Sequence, residues 1–330
     1  MSAALELVCP AGTPAALDAA VAAGADTVYI GFRDATNARN FPGLNFGREE
    51  AADGISRAHA AGRRVYIAIN TFPRAGDPGP WQCAVDDAAG LGADAIIVAD
   101  IGLLAYAADN HPSLRRHLSV QTSASNRDAI AFYERAFGVR RVVLPRVLTL
   151  REIRSLTAAI DVETEVFAFG GMCVMAEGRC QLSSYVTGHS PNIDGVCAPP
   201  SHVRYQTRDG RMVCSLGGFA MDSLGPGESA GYPTPCKGRF RVNGSTGYVF
   251  DEPATLNAAR LLPQLAAAGI KALKIEGRQR GRAYVGAVVA AFRRAVDAAA
   301  HGNEGVSGDH LLAFSEAGRY TSGAYRRGWK

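Results

Sequence analysis

The chain has 330 residues, 47% of them hydrophobic, and a net charge of +4 with 31 arginines among its 35 basic residues. That length can bury a large core, as one α/β barrel or as two smaller domains, and so mild a charge gives basicity alone no case for a nucleic-acid partner. No run of eighteen apolar residues occurs, and Met1 to Gly12 has neither a charged leader nor a long apolar one. A soluble, cytoplasmic protein without a transmembrane segment is expected.

Short β-branched runs alternate with longer Ala-rich helical runs, the signature of βα units around a parallel sheet. In chain order, strands are expected at Leu5 to Pro10, Thr27 to Phe32, Val65 to Asn70, Ala95 to Asp100, Leu118 to Thr122, Arg141 to Pro145, Thr164 to Phe169 and Ala272 to Glu276. The helices between and after them are expected at Pro14 to Ala23, Arg48 to Ala61, Trp81 to Leu91, Gly102 to Asn110, Arg127 to Phe137, Leu150 to Ala159, Ala254 to Ala268 and Ala283 to Ala300. Gly24, Gly62, Gly92, Gly138 and Gly269 fit the left-handed position that ends a helix. Eight units, with no Gly-rich dinucleotide fingerprint after the first strand, favour a TIM-type (β/α)8 barrel over an open doubly wound sheet. Residues 1–330 are thus expected to form a single domain.

The rhythm breaks at 170–251, between strand seven and helix seven, where Gly, Pro, Ser and Cys dominate. A loop that long in a compact domain is usually functional. In a barrel it leaves from the C-terminal face, where this fold keeps its active sites. The stretch 302–330 reads as a loop-rich tail whose Phe314, Tyr320, Tyr325 and Trp329 are expected to pack on the barrel.

Seven cysteines in a chain without an export signal argue for metal binding rather than disulfides. Cys173, Cys180, Cys197 and Cys236 share the Cys-rich insertion with spacing Cys-x6-Cys-x16-Cys-x38-Cys, each in a Gly or Pro setting. Thiolates select soft metals, zinc or iron–sulfur. Structural zinc sites bring cysteines in close pairs, and none occurs here, so a [4Fe–4S] cluster suits the spacing better. Cys9 and Cys83 read as buried or inert thiols, and Cys214 lacks the Gly or Pro setting.

The run Glu165-Val166-Phe167-Ala168-Phe169-Gly170-Gly171-Met172-Cys173, continuing through Gly178-Arg179-Cys180-Gln181-Leu182-Ser183, resembles the signature of the peptidase U32 family. The family pattern expects Ser or Ala where Gly171 stands. Within the family the chain is similar to the branch of anaerobic ubiquinone biosynthesis, in its cysteine spacings, in Lys274-Ile275-Glu276-Gly277-Arg278 and in Cys9-Pro10-Ala11-Gly12. The resemblance implies a [4Fe–4S] cluster on Cys173, Cys180, Cys197 and Cys236, a heterodimer with a UbiV-like protein, and oxygen-independent hydroxylation of ubiquinone precursors with prephenate as hydroxyl donor. A relative acting on RNA bases with the same donor is the alternative, and a non-catalytic scaffold or peptidase-like protein is the third. No Ser–His–Asp, Cys–His or HExxH arrangement supports the peptidase name. No nucleic-acid partner is expected, because no Lys-rich run or added domain is visible.

Polar residues at the C-terminal ends of barrel strands point into the site. Glu276, Gln121 and Asn70 are the candidates for chemistry, and Arg146, Arg278, Arg39 and Tyr29 for substrate binding, because guanidinium forks match the carboxylates of a dianionic donor. Glu276 is expected to pair with Arg278 or Arg146. His189 and His202 are read as surface or hydrogen-bonded residues rather than ligands. Four cysteine ligands would leave a cluster no open coordination position, so redox relay is expected rather than Lewis-acid catalysis.

Overall fold

The computed structural model describes residues 5–175, 177, 179–228, 231–301 and 308–326. Strands and helices alternate first as β1 (Glu6–Pro10), α1 (Pro14–Ala22), β2 (Thr27–Gly31), α2 (Arg48–Ala60), β3 (Arg64–Ile69), α3 (Gly79–Gly90), β4 (Ala95–Val98) and α4 (Ile101–Asn110). They continue as β5 (Arg115–Leu118), α5 (Arg127–Phe137), β6 (Arg141–Val143), α6 (Leu150–Thr157) and β7 (Glu163–Gly171). Two short helices follow, α7 (Gln181–Thr187) and α8 (Pro191–Asp194), then strands β8 (Val203–Arg208), β9 (Arg211–Leu216) and β10 (Phe219–Leu224). A hairpin of β11 (Arg239–Val242) and β12 (Ser245–Tyr248) leads to β13 (Thr255–Asn257). The last elements are α9 (Leu262–Ala267), β14 (Ala272–Ile275), α10 (Arg282–Ala300) and β15 (Tyr320–Thr321).

β1 to β7 pair in parallel in chain order, and β14 pairs with both β7 and β1, so eight parallel strands close into a TIM-type barrel. The strands read as apolar runs because both faces are covered, as β2 and β4 show by being buried throughout. Outside, Leu7, Ile30, Ile67, Ile96 and Leu273 pack on helices that include α10, through Val288 and Phe292. Inside, Val8, Tyr29, Tyr66, Ala68, Ile97 and Ala272 form a smaller apolar cluster. The helices begin where the sequence supplies caps: Asp100 accepts from Leu103 N at 2.8 Å to start α4, and Thr149 with Glu152 forms a capping box on α6. All five glycines expected past helix ends have φ between 62° and 96°.

Three expectations need correction. The fifth strand lies at Arg115–Leu118, with a single helical turn at Val120–Thr122 where the strand was placed. Arg116 is buried there because its guanidinium donates to the carbonyls of Leu114 and Phe137 at 2.8 and 2.7 Å. Helix seven does not begin at Ala254: Thr255–Asn257 forms β13, antiparallel to β7 and parallel to β15, and the helix is only Leu262–Ala267. The segment between β7 and β13 is also more than loop. It holds α7, α8, the antiparallel sheet β8–β10 and the β11–β12 hairpin, with a small core of Ala198, Leu216 and Met221.

The tail reaches the barrel as expected for Phe314, Tyr320 and Tyr325. Phe314 meets the Tyr284 ring at 5.6 Å, and Tyr325 is buried with its hydroxyl donating to Phe167 O at 2.6 Å. Trp329 lies outside the described residues. Among the described residues, no helix is long and apolar enough to cross a membrane.

Candidate active site at the barrel mouth

Glu276 directly follows β14, and its N–H donates to Phe169 O of β7 at 2.8 Å. Its carboxylate, 14% exposed, divides between two arginines: Oε1 accepts from Arg39 at 2.6 Å and Oε2 from Arg146 at 2.7 Å. Arg146 donates through its other terminal nitrogen to Glu177 at 2.7 Å, and its guanidinium lies 3.4 Å from the centre of the Phe167 ring. Two carboxylates therefore balance two guanidinium groups. Burial pushes the Glu276 carboxyl up, but Arg146 and Arg39 outweigh it and hold it at about 2. A carboxylate held that low is a weak base, and its geometry suits anchoring both arginines. Glu276 pairs with Arg146, as expected, and with Arg39 rather than Arg278.

Arg39 sits at φ 85°, in the left-handed region that non-glycine residues seldom occupy. Its loop is pinned from several sides. Ala38 N donates to Asn70 Oδ1 at 2.9 Å, Arg278 donates to Asn37 Oδ1 at 2.8 Å and to Ala38 O, and Arg39 N donates to Gly195 O at 2.7 Å. Asn70 and Arg278 are thus engaged in holding the Arg39 loop. Arg278 is buried, which lowers its guanidinium to about 10. Tyr29 lies within the barrel, its hydroxyl donating to Ile275 O at 2.9 Å and its ring 3.9 Å from the Lys274 ammonium. Gln121 is buried in the turn after β5, and its Oε1 has no partner among the described residues; nor has Arg146 Nε. The structure therefore brings Glu276, Arg39 and Arg146 together, places Gln121 at the same end of the barrel, and sets Tyr29 and Arg278 beneath them.

A glycine is required at 170, where φ is 144° and a Cβ would strike the Cβ of Glu276. Gly171 has no such constraint. A Cβ there would meet the far ends of the Glu316, Glu276 and Lys237 side chains, the nearest 3.2 Å away, so the departure from the family's Ser or Ala is a small steric change.

Cys173 and Cys197 lie within electrostatic reach of Arg39, and Cys180 and Cys236 within reach of Cys197. Cys173 lies just past β7, Cys180 caps α7 by accepting from Ser183 N at 3.4 Å, Cys197 follows α8, and Cys236 sits in the turn Pro235–Lys237. Burial, with Glu177 and the Cys236 thiol adding, pushes Cys173 up to about 11 against the Met175 N–H and Arg146. Cys197 is raised by burial and by Cys180, with Arg39 opposing; Cys236 is raised by burial and by Cys197 and Cys180, with Thr234 and Lys237 opposing. Each of these three thiols thus feels at least one other of the set. Among the described residues, no three His, Cys, Asp or Glu side chains are arranged to hold a single metal ion. His189, half exposed, lies 3.4 Å from Asp194, and His202 bonds Ser201 at 3.0 Å, in keeping with surface or hydrogen-bonded histidines.

Sequence reasoning missed Glu177, although it lies inside the motif between Cys173 and Cys180. It also missed the Lys237–Glu316 ion pair, which ties the turn bearing Cys236 to the C-terminal segment. Neither has a local signal, because each partner is distant in the chain.

An eight-stranded parallel barrel with a charged, cysteine-ringed mouth defines the class. The family model for peptidase family U32 matches residues 12–326, and the chain belongs to that family. It is 30% identical to tRNA hydroxylation protein P of Escherichia coli, over 90% of this chain and 69% of that protein. It is 32% identical to tRNA hydroxylation protein P1 of Bacillus subtilis, over 89% of this chain and 63% of that one. The 23S rRNA 5-hydroxycytidine C2501 synthase of Escherichia coli is 30% identical over 89% of this chain and 39% of its own length.

Proposed function

We propose that this chain is a hydroxylase acting on an RNA base, with Cys173, Cys180, Cys197 and Cys236 holding a [4Fe–4S] cluster beside Glu276, Arg39 and Arg146. The observation that carries the reading is that relatives matching about nine-tenths of the chain are named for tRNA and rRNA hydroxylation. RNA takes precedence here over the quinone precursors expected from the sequence, because the most similar relatives that name a substrate name RNA.

The donor set fits a soft metal. Four cysteines supply one thiolate for each iron of such a cluster, and the Cys197, Cys180 and Cys236 thiols lie close enough to influence one another's protonation. When bound, such a cluster supplies one-electron redox chemistry without oxygen. The thiols, raised by burial, give up their protons on binding it. Arg39, with 34% of its side chain exposed, presents a fork suited to a dicarboxylate donor such as prephenate, and Arg146, buried between Glu177 and Glu276, fixes Glu276 beneath it. Glu276 orients the Arg39 fork before the donor arrives, and Gln121 carries a buried acceptor with no partner among the described residues.

A second reading, hydroxylation of ubiquinone precursors with a UbiV-like partner, is favoured by an apolar groove of about 240 Å³ on the insertion. It is lined by residues that include Leu182, Tyr185, Phe219 and Phe250 and could hold a prenyl chain. Mass spectrometry of RNA nucleosides and of quinones from oxygen-free cells lacking the gene separates the two. Loss of a hydroxylated base with quinones intact is expected. Loss of quinone with all hydroxylated bases intact would overturn the RNA reading.

A further inference from the structure

The sheet β8–β10 has one covered face and one bare face. Leu216 and Cys214 are buried on the covered side, where Leu216 packs with Ala198, Met221, Val203 and Phe240. The antiparallel register places Arg204, Gln206 and Arg208 beside Ser215, Val213 and Arg211 on the opposite side, continued by Ala220 and Ser223 of β10. Arg204, Gln206, Arg208 and Arg211 are all exposed, and arginine is the only charged residue on this face.

Those guanidinium groups bond mainly to neutral atoms. Arg204 donates to the Ser201 and Val203 carbonyls, Arg208 to Gln206 at 2.8 Å, and Arg211 to Ser223 Oγ at 3.0 Å and O at 2.7 Å. Among the described residues, the one carboxylate in ion-pair range is Glu228, 3.9 Å from Arg211 and nearer to Arg239 at 3.1 Å. Asp209 lies at the β8–β9 turn. From Arg204 to Arg208 the strand covers about 13 Å. β8 is the outer strand of the sheet, so this row is open along its length. On the other face, where the register sets Phe219 opposite Leu216, the Phe219 ring pairs with Tyr185 of α7 at 5.9 Å, and α7 starts at the Cys180 cap. A row of exposed arginines bonded mainly to neutral atoms is an arrangement suited to a phosphate backbone.

We propose that the bare face of β8–β10 docks the RNA backbone through Arg204, Arg208 and Arg211. This rests on the RNA reading above and names the surface it uses. The test measures binding of fluorescent, unmodified transfer RNA to the full chain over a salt series. It compares the unaltered protein with Arg204→Gln/Arg208→Gln/Arg211→Gln and with Arg127→Gln/Arg151→Gln/Arg154→Gln, which removes the same charge from α5 and α6. Vesicles of anionic lipid serve as a second probe, and urea midpoints check folding.

The sheet variant is expected to bind RNA at least about tenfold more weakly at 0.1 M salt. Its salt slope should fall by about 2, some 0.7 per lost phosphate contact, with the control variant unchanged. Equal binding by the unaltered protein and the sheet variant, or equal weakening by both variants, would overturn the docking face and leave the RNA reading standing. No RNA binding by the unaltered protein would remove that reading and this inference together. Vesicle binding without RNA binding, lost in the sheet variant, would assign the face to a membrane surface instead.

Discussion

Buried charge collects at both ends of the barrel and is built differently at each. At the N-terminal end, Arg141, 2% exposed, pairs with Glu6, Glu163 and Glu165 at 2.6, 2.7 and 3.3 Å, and Lys274 joins Glu165 at 2.7 Å. These groups all stand on barrel strands and satisfy one another. At the mouth, Arg39, Arg146, Glu177 and Glu276 come from loops and from the insertion, and Arg146 Nε and Gln121 Oε1 stay unpaired. A closed network of strand-borne charge locks register, whereas loop-borne charge with spare donors and acceptors is available to a ligand.

The largest expected effect separates the two ends outright. Cys173→Ala should abolish bound iron and hydroxylation while leaving the urea midpoint of the metal-free protein nearly unchanged, because the barrel core does not involve that thiol. Full activity in an iron-free variant would remove the cluster from the chemistry.

Substituting one carboxylate at each end sharpens the contrast. Glu165→Gln strips a partner from both Arg141 and Lys274 and should cost about 3–5 kcal/mol in urea unfolding, with activity per folded molecule retained. Glu276→Gln should instead weaken use of the donor, seen as a raised KM. If Glu165→Gln lost activity without losing stability, the division between the ends would fail.

Acid tests both ends at once. Glu6 and Glu276 are each held at about 2 despite burial, Glu6 chiefly by Arg141 and Glu276 by Arg146 and Arg39. Their folded values lie below the ordinary 4.5, so the stabilisation is present above about pH 4.5 and is lost as pH falls toward 2. Each carboxylate contributes about 3 kcal/mol. Urea midpoints from pH 7 to pH 2.5 should drop steeply below 4.5, and Glu276→Gln should flatten part of that drop; an unchanged profile would count against the pairing. The smallest effect is expected from Tyr325→Phe, which removes a buried bond to Phe167 O and should cost about 1–2 kcal/mol in thermal unfolding.

The barrel was legible because its buried strands read as apolar runs and its helices stop at glycines. β5 was not, since Arg115, Arg116 and His117 look like surface residues until Arg116 finds its carbonyls and His117 stacks edge-on to Tyr66 at 4.6 Å. β13 was hidden because its partners, β7 and β15, lie far away in the chain. The insertion sheet did carry a signal: Asp209-Gly210 and Asn243-Gly244 have positive φ at both positions, the hairpin turn such dipeptides favour. At the site, the pairing of Glu276 with Arg146 could be read from position. That Arg39 would join them, and that Arg278 would turn away to hold the loop, depended on a left-handed backbone that composition does not announce.

Anaerobic purification of the full chain, followed by iron and sulfide determination and a visible spectrum, tests the central claim most directly. Four irons and four sulfides per chain, lost in Cys173→Ala, are expected for a [4Fe–4S] centre; one zinc per chain, or no metal, would contradict it.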